Sequence, residues 1–100
     1  MPELLITLDG KLLQEYELKQ RSVIIGRKHD SDVRLPAKAI SRRHAQVFSV
    51  LGDFYLLDLN SRNGTFVNAK RIEKHLLQDG DVVNIANYQL QYVDKNKKPA

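Results

Sequence analysis

The sequence of 100 residues contains no cysteine, which excludes a disulfide framework, a thiolate metal site and a cysteine nucleophile. This suits a reducing compartment. The chain also lacks a long hydrophobic run. Its first ten residues, MPELLITLDG, hold one short apolar stretch with no basic segment before it, so neither a signal peptide nor a membrane anchor is predicted. No internal repeat and no low-complexity linker divides the chain. A hydrophobic content of 42% is enough for one core without metal or disulfide staples. The expectation is therefore one intracellular, cytoplasmic and monomeric domain that needs no cofactor or metal. It should span residues 1–94, with 95–100 as a polar, basic and disordered tail.

The formal charge is +4, which favours an acidic partner, although the twelve acidic residues are spread along the chain. Nucleic acid is compatible with that charge and with the arginines at 27, 42, 43 and 62, but charge alone does not select it. A binder of that kind interleaves aromatic and basic residues, and the basic loops carry no aromatic until Phe66.

YQLQYV at 88–93 alternates strictly, with Tyr88, Leu90 and Tyr92 on one face and glutamines on the other, the period of a half-buried strand. Similar runs recur at LLITL, LLQEYEL, SVIIG, AQVFSV, FYLLDL, TFVN and DVVNIA, separated by the turn-forming DGK, LGD, NSRNG and QDGD. Eight or more short strands predict a sandwich or barrel. AKRIEKHLLQDG places Ile72 and Leu76 at helical spacing, but is read as loop plus short strand.

In such a fold the chemistry lies on loops, and three stand out. In GRKHDSDVRLP, Gly26 ends a strand and permits a turn or a close approach, while Arg27 can aim a planar fork of donors at an oxyanion. Alone, this pair is a very weak signal and reads as a surface arginine before a polar turn. In AISRRHAQV, Ser41 and His44 invite a hydrolase reading. If the stretch is extended, however, residues three apart face opposite ways, no Gly-x-Ser-x-Gly elbow is present, and no nearby acid orients His44. Ser41 beside Arg42 instead makes a mixed donor set for an anion such as phosphate. His44 is then a partly buried side chain hydrogen-bonded to a neighbouring loop. In NSRNGTFVN, Asn63-Gly64 signals a tight turn, Arg62 joins it, and an exposed asparagine amide suits the main chain of an extended peptide.

Together, Gly26-Arg27, Ser41-x-x-His44 and Asn63-Gly64 with Asn68, followed by LQDGDVVNIA, resemble the forkhead-associated (FHA) domain over nearly the whole chain. That resemblance implies an all-β, eleven-stranded sandwich of the SMAD/FHA-like kind, whose loops at one end bind a threonine-phosphorylated protein or peptide in Ser/Thr kinase signalling, without catalysis. It implies Arg27 and Ser41 as direct phosphate ligands, Arg42 as a further contact, and Asn63, with Arg62 beside it, as the grip on the peptide backbone. Gly26, His44, Gly64 and Asn68 become the scaffold of those loops. The ligand side chains Arg27 and Ser41 are expected to face solvent. Two positions depart from the pattern. Ala39 stands where some members carry a side chain that selects the residue three after the phosphothreonine, and Ala86 replaces a glycine. Arg43 is extra charge facing solvent. The rival readings are a phosphate-independent assembly module using its sheet face and, further off, a nucleic-acid binder.

Overall fold

In a computed structural model that describes residues 1–95, the chain forms eleven short strands among the described residues and no helix. They are β1 (Glu3–Leu8), β2 (Lys11–Glu17), β3 (Ser22–Gly26), β4 (Val33–Arg34), β5 (Ala45–Val50), β6 (Asp53–Asp58), β7 (Thr65–Val67), β8 (Lys70–Ile72), β9 (Lys74–Leu76), β10 (Val82–Ile85) and β11 (Tyr88–Val93). One sheet runs β2-β1-β11-β10-β7-β8 and the other β4-β3-β5-β6-β9. Only β3 and β4 pair in parallel; the other pairings are antiparallel.

The inward faces meet in one core. Leu4, Ile6, Val23, Ile25, Val47, Leu56, Val83, Ile85, Leu90 and Tyr92 are all buried in it. β11 follows the alternation read from its sequence, with Tyr88, Leu90 and Tyr92 inward and Gln89 and Gln91 exposed. β4 and the division of residues 70–76 into two strands escaped that reading, which had one short strand there. β4 is two residues long, below the length at which a period can be read. Residues 70–76 form two strands, β8 and β9, which belong to opposite sheets, so the chain crosses the sandwich at Glu73. The expected tail lies outside the described residues except for Lys95, which is in a turn.

Asn68 and Ala69, both at positive φ, turn β7 into β8. The Asn68 amide donates to Asp81 Oδ1 (3.0 Å) and accepts from the Val82 N–H (3.0 Å), which joins this hairpin to the turn before β10. Asp81 also accepts from the Gln78 N–H and from His75 Nε2, at 2.8 and 2.9 Å. Asn68 is therefore a scaffold residue, but at the end of β7 remote from Gly64, four residues or about 13 Å of strand away.

β10 and β11 are joined by Ala86 and Asn87 alone, with Ile85 opposite Tyr88. Ala86 sits at φ 53°, the first central position of the connection, which tight hairpins usually give to glycine. The fold tolerates alanine there at the cost of its Cβ crowding the following carbonyl. Ala86→Gly should raise stability by about 0.5–1 kcal/mol, the relieved strain exceeding the added chain entropy of the unfolded state. Urea unfolding of both proteins would measure it.

Candidate phosphate-binding site

β3 and β5 run side by side, and their hydrogen-bond ladder continues past the strand ends into the loops. His44 N–H donates to Ile25 O, Arg27 N–H to Ser41 O and Lys28 N–H to Arg42 O, at 2.9, 3.1 and 3.2 Å. Gly26 is what allows the last of these. A Cβ at this position would lie 2.0 Å from Arg42 O, so the constraint is close approach of the chain to itself, with no demand on φ.

Residues 39–44 are a bend, not an extended segment. His44 is fully buried, and its side chain folds back so that Nδ1 accepts the Ser41 N–H (3.1 Å). A nitrogen that accepts from an N–H carries no proton of its own. Nε2 therefore bears the hydrogen and donates it to Gly64 O at 2.9 Å. Both ring nitrogens are engaged with backbone, which leaves none to act as a base on the Ser41 hydroxyl. The catalytic reading fails on this account, in place of the opposed faces expected for an extended segment.

The loop at 59–64 is shaped by Asp58. Its carboxylate accepts from the Ser61 hydroxyl, the Ser61 N–H (3.1 Å) and the Thr65 hydroxyl (2.7 Å), and Ser61 Oγ in turn accepts the Gly64 N–H (3.0 Å). Burial pushes the Asp58 carboxyl up, but these hydrogen bonds outweigh it and hold the group below its ordinary range. Asp58, Ser61 and Thr65 went unnoticed in the sequence. The Asp-x-x-Ser spacing of a side-chain-closed turn was the available signal. Gly64, at φ 92°, completes the turn as its Asn-Gly dipeptide predicts.

The loops meet at one end. Ser41 Oγ accepts the Arg62 N–H (3.0 Å), which leaves its own hydroxyl proton free to donate outward. Asn63 Nδ2 donates to Ala39 O (2.7 Å), so its Oδ1 stays available. Arg27 is half-buried, with Nε donating to Ile40 O (3.0 Å) and its terminal nitrogens uncommitted. Arg27 and Ser41 are thus less solvent-facing than expected, each being tied into the loop framework by one hydrogen bond. Arg42, Arg43, Arg62 and Asn63 are exposed. Neither ion pair formed among the described residues, Lys28–Asp30 or His75–Asp81, involves an arginine. The structure brings together Gly26, Arg27, Ser41, Arg42, His44, Arg62, Asn63 and Gly64; Asn68 stands apart.

Two outcomes follow from this geometry. His44→Ala should lower stability by roughly 2–4 kcal/mol, because it opens a cavity and orphans both the Ser41 N–H and Gly64 O, as chemical denaturation would measure. Asp81, like Asp58, is raised by burial and lowered further by its hydrogen bonds, to a net value below the usual range. A depressed folded-state value means stability that is present above the unfolded value and lost as pH falls through the folded one. Melting temperatures should therefore hold down to about pH 4 and then fall, and Asp58→Asn should flatten part of that acid limb.

The family model for the FHA domain matches residues 23–86. Over 78 residues the chain is 44% identical to the ABC transporter ATP-binding/permease protein Rv1747 of Mycobacterium tuberculosis, covering 78% of this chain and 9% of that protein. It superposes on the FhaA FHA domain, solved in complex with the intracellular domain of Rv3910, with a TM-score of 0.84 and 36% identity, over 92% of this chain and 99% of that one. On Mycobacterium tuberculosis EmbR, solved with a low-affinity phosphopeptide, the TM-score is 0.86 at 28% identity, over 99% of this chain and 26% of that one. The chain spans only 16% of the length of whole FhaA, also from Mycobacterium tuberculosis. With its two-sheet architecture, its joined loops and this match over most of its length, the chain belongs to the FHA domain family.

Proposed function

We propose that this domain is a non-catalytic module that binds threonine-phosphorylated proteins or peptides in Ser/Thr kinase signalling, with Arg27 and Ser41 as the direct phosphate ligands. Arg42 adds a charge at the rim, Asn63 holds the peptide main chain, and Arg62 lies beside it. Gly26, His44 and Gly64 keep the loops in place. The observation that carries this reading is the Ser41 hydroxyl. Its oxygen already accepts the Arg62 N–H, so its proton is left to donate, beside an Arg27 guanidinium whose Nε is anchored and whose outer nitrogens are free. That is a preorganised donor set for a tetrahedral oxyanion. The phosphopeptide and partner-domain complexes of EmbR and FhaA support the ligand class. A cytoplasmic setting fits a reader of kinase marks and a chain without cysteine.

A phosphothreonine carries a charge of about −1.5 to −2, and two or three charge-assisted hydrogen bonds at roughly 1.5–3 kcal/mol each must offset the cost of association. The expected dissociation constant is micromolar in order of magnitude. A second reading, docking by the sheet face, is favoured by Leu12 and Leu13, exposed on edge strand β2, and by a shallow cleft of about 350 Å³ lined by Leu5, Leu12 and Val82 among others.

Titration calorimetry separates the two. A phosphothreonine peptide should bind well over ten times more tightly than its unphosphorylated twin, and equal affinities would favour the sheet face. Arg27→Ala and Ser41→Ala should each abolish detectable binding while lowering stability by only about 1 kcal/mol, the value of the one intramolecular hydrogen bond each loses.

A further inference from the structure

Of the seven arginines, those at 27, 34, 42, 43, 62 and 71 belong to or touch the loops around Gly26, Ser41 and Gly64. One phosphate does not account for all of them. Arg34 donates through Nε to Arg27 O (3.3 Å) and so belongs to the framework of the first loop. Arg71 is different. It lies on β8, the outermost strand of its sheet, paired with Phe66, and open solvent is available on its far side. Its guanidinium nonetheless lies back across Gly64, where a Cβ would stand 3.0 Å from Nε and 3.2 Å from Cζ. Arg71 is exposed, and no hydrogen bond or ion pair joins its side chain to any described residue.

A charged group lying against Gly64, one residue past Asn63, is placed for a ligand anion. From the Ser41–Arg62 contact to Gly64 the loop advances about two residues. An extended peptide lying along it would reach Arg71 with a side chain about two or three residues from its phosphothreonine, at roughly 3.3 Å per residue. We propose that Arg71 forms a second anion contact, selecting phosphothreonine peptides that carry a further carboxylate or phosphate at that distance. The inference rests on the phosphothreonine reading and adds a substrate class to it.

Anisotropy titrations would test it with a phosphothreonine peptide of otherwise neutral flanks, into which glutamate or phosphoserine is placed at each flanking position in turn. One position, or two adjacent ones, should improve binding by about two- to fivefold with glutamate, the range expected for an exposed, salt-screened pair. Phosphoserine there should do better, since it offers a fork-shaped guanidinium more charge and more acceptors. A gain confined to phosphoserine would identify the second group as phosphate, and a gain with both as any peptide-borne anion. Arg71→Gln should remove the gain and leave affinity for the neutral-flanked peptide unchanged, while Arg71→Lys should keep part of it. The inference is overturned if no position gains, if the gain survives in Arg71→Gln, or if Arg71→Gln weakens neutral and acidic peptides alike. If the parent protein does not bind even the neutral-flanked phosphopeptide, the phosphothreonine reading itself falls, and this one with it.

Discussion

One imidazole ties two loops from different parts of the chain into a single surface. His44 takes a hydrogen bond from the Ser41 backbone on one side and gives one to the Gly64 carbonyl on the other, and it does so in full burial. Where a hydroxyl could rotate to suit either role, a ring with one protonated nitrogen has a fixed donor and a fixed acceptor, so it fits this gap in one orientation only. Everything outward of it is positioned by consequence. Ser41 is turned so that its hydroxyl meets the Arg62 N–H, and Asn63 is brought to the Ala39 carbonyl. The β3–β5 ladder extends beneath this layer because Gly26 lets Arg42 approach. The site is thus an extension of the sheet, and its rigidity derives from strand pairing.

The same end shows how a positive surface is kept unneutralised. Asp58 lies within the loop cluster and would be a natural partner for a neighbouring guanidinium. Its two oxygens are occupied instead by Ser61 and Thr65, which turn the carboxylate into a framework for the loop. Asp32 is similarly engaged with the Ile24 N–H. Asp58 and Asp32 are directed at backbone and hydroxyl donors, Asp30 pairs with Lys28, and no arginine forms an ion pair among the described residues. An incoming dianion therefore does not have to displace an existing ion pair.

What the sequence made legible is what local rules govern. The alternation of YQLQYV gave β11 its faces, Asn-Gly announced the turn at Gly64, and Gly-Arg with Ser-x-x-His marked the loops that the fold joins. What remained hidden depends on pairing between distant segments. β4 exists through two parallel contacts with β3, and the crossing at Glu73 depends on β8 and β9 finding partners in different sheets. Arg71 meets Gly64 only because β7 and β8 form a hairpin, a juxtaposition that seven residues of separation do not reveal. Asn68 looked like one of the loop-shaping residues because it follows the same motif, yet strand rise carries it to the Asp81 network. Gly26 was correctly seen as a point of close approach, but the body approaching it is the chain itself.

Because the donor set is assembled from loops that continue the strand ladder, it exists only while β3, β5 and β6 are paired, and the unfolded chain offers a phosphate no comparable surface. Ligand occupancy is then linked to folding. A partner present at a hundred times its dissociation constant adds about 2.7 kcal/mol to the folded state, a large fraction of the roughly 5–15 kcal/mol typical of a domain. On the proposed phosphothreonine reading, phosphorylation of the partner would in this way also govern how long the domain itself survives thermal and proteolytic challenge.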